Sequence, residues 1–134
     1  MLLLDSEAIS APAHGPPDRR DRVRALIQQM RKHQLPVAVV AAVLCEVVRG
    51  RSADAAAFSV FQRERVEVRP VDGRVGIRAS RLLGRVQSGS ALAVDAFVVA
   101  VADLAGGAVI ATGDPDDMKR LATYANKTRV VDVS

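Results

Sequence analysis

Residues 91–114 read ALAVDAFVVAVADLAGGAVIATGD, and their reading decides the fold. The run is the most apolar in the chain, and Asp95, Asp103 and the pair Gly106-Gly107 interrupt it. A bilayer span would not carry these acids and a double glycine at its centre. The run therefore divides into a buried helix over Leu92–Leu104, a stop at Gly106-Gly107, and a strand over Val109–Thr112. That strand is continuously apolar, as strands buried on both faces are. Leu2–Leu4, Val37–Val40 and Val130–Val133 have the same character, and Val66-Glu67-Val68 forms a shorter strand closed by Pro70.

Helical stretches separate these strands. Ser6–Ala11 forms a short helix before the break His14-Gly15-Pro16-Pro17. Asp18 is the expected cap of a helix that carries Val23, Leu26, Ile27 and Met30 and ends before Pro36. Ala41–Arg49 is helical up to Gly50, and Ser52 caps a helix to about Arg63. Asp72 to Gln87 is helical, and Asp114 or a neighbour caps a helix to Tyr124. Alternating strands and helices predict an α/β sandwich of three layers, with a mostly parallel central sheet of four or five strands. The 134 residues are expected to form a single domain, 1–134.

Composition removes several function classes. Aromatics are 3% of the chain and Trp is absent, so a base-stacking platform has no material. The lone cysteine, Cys45, excludes an internal disulfide and fits a reducing cytoplasm. With only two histidines, a zinc site of ordinary composition is disfavoured. No export leader or membrane span is expected, since Asp5 and Glu7 directly follow the apolar start. The net charge is +4, and only Lys32, Lys119 and Lys127 among the 19 basic residues are lysines. This arginine bias is open to two explanations, a GC-rich genome or a phosphate-bearing partner.

Four acids stand where the pattern calls for apolar residues. Asp5 follows the first strand and Asp114 the fourth. Glu46 lies in an otherwise apolar helix, and Asp95 is flanked by Leu92-Ala93-Val94 and Ala96-Phe97-Val98. Burying a lone carboxylate costs several kcal/mol (about that order) unless it is compensated. Sites in open parallel sheets form at the carboxyl ends of strands, which is where Asp5 and Asp114 fall. A cluster of carboxylates is tolerated when a cation neutralises it, and hard oxygen donors suit magnesium or manganese. Such centres serve phosphoryl transfer.

The ordered set Leu3-Leu4-Asp5-Ser6, Val43-Leu44-Cys45-Glu46-Val47-Val48-Arg49-Gly50, Val94-Asp95-Ala96 and Ala111-Thr112-Gly113-Asp114-Pro115-Asp116-Asp117 resembles the PIN-domain nucleases. It is most similar to their small bacterial members, the VapC-type toxins of toxin–antitoxin pairs. The resemblance spans Leu2 to Val133. It implies a PIN-like sandwich and a metal-dependent endoribonuclease, with Asp5, Glu46, Asp95 and Asp114 as the catalytic and metal-binding acids. Asp5 and Asp95 would be the principal ligands of Mg²⁺ or Mn²⁺, with Glu46 acting partly through water. Asp117 would be an accessory acid, Ser6 and Thr112 would brace the carboxylates, and Asp116 would face solvent. The partners implied are an RNA substrate, a VapB-like antitoxin and a second copy in a homodimer. The other function classes weighed are a PIN-like adaptor that binds RNA or protein without catalysis, and a phospho-acceptor domain. The latter needs paired acids after the first strand and a lysine just after a late strand; here Ser6 follows Asp5, and no lysine follows a late strand at the right place.

The remaining signals are surface features. Arg49 and Arg51 follow the Glu46 helix and are candidates for contact with RNA or antitoxin. Arg74, Arg78, Arg81 and Arg85 share one helical face, as a solvated surface, as an RNA-contacting stripe or as a binding face for an acidic antitoxin tail. Cys45 is expected to be a small buried side chain, and His14 and His33 plain surface histidines.

Overall fold

A computed structural model describes all residues, 1–134. Five strands form one sheet: β1 (Leu2–Leu4), β2 (Val37–Val40), β3 (Glu67–Arg69), β4 (Val109–Thr112) and β5 (Arg129–Asp132). The order is β3-β2-β1-β4-β5 and every pairing is parallel. Seven helices cover it: α1 (Ser6–His14), α2 (Pro17–Lys32), α3 (Leu44–Val47), α4 (Asp54–Arg63), α5 (Gly73–Arg85), α6 (Ala93–Leu104) and α7 (Pro115–Ala122).

The central strands β1 and β2 are wholly buried, and the core is one connected cluster of Leu, Val, Ile, Ala and Met. It has no aromatic residue at its centre. Phe61 and Phe97 pack only at its border. The most apolar helix, α6, packs on β4, on β2 and on the turn that follows β2. No helix is long and apolar enough to cross a membrane.

The element boundaries depart from expectation where caps and short turns decide them. α2 starts at Pro17, with Pro16 at the cap and Asp18 inside the first turn. Pro17 has no N–H to leave unpaired and its φ already suits a helix, so it takes the first position. α1 runs on through Pro12 to His14. The expected helix over Ala41–Arg49 is a 3₁₀ turn over Ala41–Val43 followed by the single-turn α3. Ser52 does not cap α4; its first residue, Asp54, instead bonds back to the preceding loop.

The strand order puts the site. From β1 the chain moves to β2 and β3 on one side, then crosses back to β4 on the other. The order therefore reverses between β1 and β4, and the crevice of such a sheet opens at their carboxyl ends. The chain there carries Asp5 directly after β1, and Gly113-Asp114 directly after β4. Asp5 continues the pairing by one residue, its N–H donating to the Ala111 carbonyl at 3.1 Å.

Candidate active site

Asp5 ends β1 and begins α1. Its carboxylate accepts from the Ala8 N–H at 2.8 Å, so one side chain both caps the helix and stands at the switch point. It is almost completely buried. Burial pushes its pKa up. The Thr112 hydroxyl and the amides of Ala8 and Gly113 act in the opposite direction without cancelling it, and the Glu7 charge adds to the rise.

Thr112 is the last residue of β4 and is buried. Its hydroxyl accepts from the Asp114 N–H at 3.1 Å and donates to the Asp114 carbonyl at 3.2 Å. This local ring turns the chain sharply out of the sheet. Asp114 stands at the cap position of α7 but makes no side-chain cap bond, so its carboxylate is free and exposed. A Cβ at Gly113 would lie 1.7 Å from Oε2 of Glu7, so any other residue there requires the Glu7 side chain to move aside. Glu7 is held over this turn by Arg19 of α2 at 2.9 Å.

Asp95 lies in the first turn of α6, half-buried. Its pKa is pushed up to about 6, first by burial and then by the charges of Asp5, Glu46, Asp117 and Asp114. The fold thus brings all four sequence candidates, and the accessory Asp117, within electrostatic reach of one carboxyl. Glu46 projects from α3 into solvent, and Asp117 on α7 is paired with Arg120 at 2.9 Å. No three of the His, Cys, Asp or Glu side chains stand close enough to coordinate a single ion. Like charges lying apart is the arrangement that mutual repulsion favours.

Ser6 opens α1, and its carbonyl accepts from the Ser10 hydroxyl at 2.7 Å. Ser6, Ser10 and His14 are four residues apart and share one face of α1. Together with Glu46 they line two adjoining depressions. One, of about 390 Å³, extends to Arg51, Asp54 and Ala57; the other, of about 290 Å³, extends to Glu7 and Arg19. The two form a trough of mixed polar and apolar lining that passes Glu46 on the way to the start of α1.

Two surface expectations are corrected. Cys45 is exposed, because the single turn of α3 buries only Val47 and turns Cys45 and Glu46 outward. Arg78 does not belong to a free basic stripe. It donates from Nε to the Asp103 carboxylate of α6 at 2.5 Å and from Nη2 to the Tyr124 carbonyl at 2.7 Å, while Arg85 stacks over the Tyr124 ring at 5.4 Å. His14 is on the surface as expected, at the edge of the trough, with Nε2 3.3 Å from the Ala53 carbonyl oxygen.

These features define an α/β domain of the doubly wound kind with an acidic crevice at its switch point. Residues 2–124 match the PIN domain family model, and the chain belongs to that family. No curated relative matches it by sequence. Among solved structures, it is similar to a chain in the crystal structure of VapBC2 from Rickettsia felis bound to a DNA fragment from their promoter. That match has a TM-score of 0.68 and 13% identity and covers 98% of this chain and 97% of the other. It is also similar to a chain in DNA-bound VapBC from Salmonella typhimurium, at a TM-score of 0.66 and 18% identity, covering 99% and 98% of the two chains. At these identities the likeness is one of fold.

Proposed function

We propose that the chain, 1–134 acting as one PIN-like unit, is the endoribonuclease toxin of a type II toxin–antitoxin pair. The observation that carries this reading is the Asp95 carboxyl, pushed up to about 6 by burial and by four neighbouring acids. A fold that keeps such a group next to Asp5 bears a standing electrostatic cost. That cost is relieved when a divalent cation enters.

The donor set fits Mg²⁺ or Mn²⁺, since every candidate ligand is a carboxylate. When bound, the ion supplies positive charge against the phosphodiester and its leaving oxygen. Asp5 and Asp95 would hold it. Glu46, exposed on the trough side, would act through water, and Asp114 would contribute its free carboxylate. The Ala8 amide fixes Asp5, and Thr112 fixes the backbone of Asp114. Ser6 and Asp117 are accessory. Arg49 and Arg51, beside Glu46, face the RNA backbone.

The same negative charge accepts a basic side chain, so a VapB-like antitoxin inhibits by placing an arginine or lysine among these acids. The toxin works in the cytoplasm as a homodimer. The test is cleavage of a mixed RNA pool by purified protein with Mg²⁺ or Mn²⁺, repeated with Asp95→Asn. Metal-dependent cutting by wild type alone is the expected result. RNA binding without cutting would make the chain an adaptor instead.

A further inference from the structure

Asp54 plays no part in the acidic site and yet is buried, with 7% of its surface exposed. Its Oδ2 accepts from the Arg51 N–H at 2.9 Å and from the Arg49 N–H at 3.1 Å. Burial acts to raise its pKa, but the amides of Arg51, Arg49 and Gly50 and the Arg51 charge hold it below the usual carboxylate range. The carboxylate therefore stays ionised and pins a three-residue loop. At the centre of that loop Gly50 adopts φ +70°, in the left-handed region. The Arg49 Nε returns to the Glu46 carbonyl at 3.3 Å, tying the loop to the helix that carries the candidate ligand. Arg51 and Asp54 line the end of the trough that runs past Glu46.

We infer that Asp54 is a positioning residue: it clamps the Arg49–Gly50–Arg51 loop so that Arg51 receives a phosphate of single-stranded RNA lying in the trough beside Glu46. This rests on the ribonuclease reading above and adds to it the residue that organises the substrate track. Five of the eight residues around the trough's 390 Å³ end are polar or charged, and Arg51 carries the one guanidinium among them. A guanidinium held at the exit of a cluster of acids suits a polyanion, which needs a positive anchor to approach them.

The experiment measures binding of a fluorescent single-stranded RNA oligonucleotide in excess chelator, at several salt concentrations, and cleavage of the same RNA with Mn²⁺. The proteins are wild type, Arg51→Gln, Asp54→Asn, Asp54→Ala and Gly50→Ala. A Cβ at Gly50 meets nothing within 4 Å, so that change disturbs only the loop's backbone preference. Arg51→Gln is expected to weaken binding about tenfold and to lower the salt slope by about one. Asp54→Ala and Gly50→Ala should do nearly the same, with KM raised and kcat within about twofold, and Asp54→Asn should recover part of the loss. Asp54→Ala combined with Arg51→Gln should be no worse than Arg51→Gln alone, because the two act on one contact. Thermal melting identifies any variant that fails to fold, and Arg51→Gln and Gly50→Ala then carry the test.

Unchanged binding and salt slope in Arg51→Gln, while wild type cuts RNA, would overturn the inference and leave the ribonuclease reading standing. So would a fall in kcat at constant KM in the Asp54 variants. If wild type binds RNA but does not cut it, the clamp is judged on binding alone and the enzymatic reading fails. If wild type neither binds nor cuts RNA, and Arg51→Gln instead weakens a co-expressed antitoxin complex, the trough is a protein-docking site and the inference is wrong.

Discussion

Replacing Asp95 with Asn should stabilise the metal-free protein at neutral pH while removing its activity. Asn keeps the shape of the side chain and deletes the charge that burial and four acids oppose. A rise from the ordinary 3.8 to about 6 corresponds to roughly 3 kcal/mol, at about 1.4 kcal/mol per tenfold in proton affinity. Asp95 is only half-buried, so solvent screening reduces the expected gain to about 1–2 kcal/mol. The folded state holds the Asp95 proton more tightly than the unfolded chain does. The stability tied to that proton is present below pH 3.8 and is lost as pH climbs to about 6. The advantage of Asp95→Asn is therefore absent near pH 3.5, grows through this window and is flat above it. Thermal melting in chelator from pH 4 to pH 8 measures it, with a Tm rise of about 3–8 °C at pH 7.5 for a domain of this size. Millimolar Mn²⁺ should raise the Tm of wild type and leave that of the variant unmoved. A variant no more stable than wild type at pH 7.5 in chelator would refute the reasoning, because the carboxylates would then not be held against one another.

Other perturbations test the remaining parts. Asp5→Asn should abolish RNA cleavage and keep the fold, since Asn still accepts from Ala8, whereas Asp5→Ala should also lose about 1 kcal/mol of stability through the missing cap, read by urea unfolding. Excess chelator should stop cleavage and Mn²⁺ restore it, with activity rising from pH 5 to pH 7.5 as the raised carboxyls of Asp95 and Asp5 ionise and become ligands. Arg78→Gln should cost about 1–3 kcal/mol, because it leaves the well-buried Asp103 carboxylate short of a partner, and should not change RNA affinity. The isolated chain should sediment as a dimer at micromolar concentration, and co-expression with a VapB-like partner should relieve growth arrest. A monomer, or a partner that neither binds nor protects, would remove the corresponding half of that reading.

The fold was legible because its signals are local and redundant. Leu2–Leu4, Val37–Val40 and Val109–Thr112 are apolar without alternation, which only a sheet covered on both faces accommodates. The boundaries that shifted depend on competition between near neighbours. Pro17 displaces Asp18 at the start of α2, and Asp54 rather than Ser52 organises the entry to α4. The acids were legible for the opposite reason: each contradicts its surroundings, and a charge placed among apolar residues stands out in sequence. Cys45 misled because a helix of several turns would have buried it, and α3 has only one.

What stayed hidden was polarity in polar surroundings. Arg78 looks in sequence like its stripe-mates, and only the crossing of α5 over α6 turns it toward Asp103. Asp54 follows Arg49, Gly50, Arg51 and Ser52, where an acid contradicts nothing. Its burial arises because the loop folds back over it and delivers two amides to one oxygen. The two kinds of acid are separated by how their charge is met. Amides fixed by the fold satisfy Asp54 and depress its pKa, so its ionised form contributes to stability and needs nothing from solution. Asp95 is opposed by its own neighbours, and the fold provides no cation to balance it. A buried acid already answered by backbone amides is built to hold the chain in place. One that the chain leaves unanswered has a charge to be met from outside, which is the role proposed above for Asp95 toward a metal ion or an antitoxin's basic side chain.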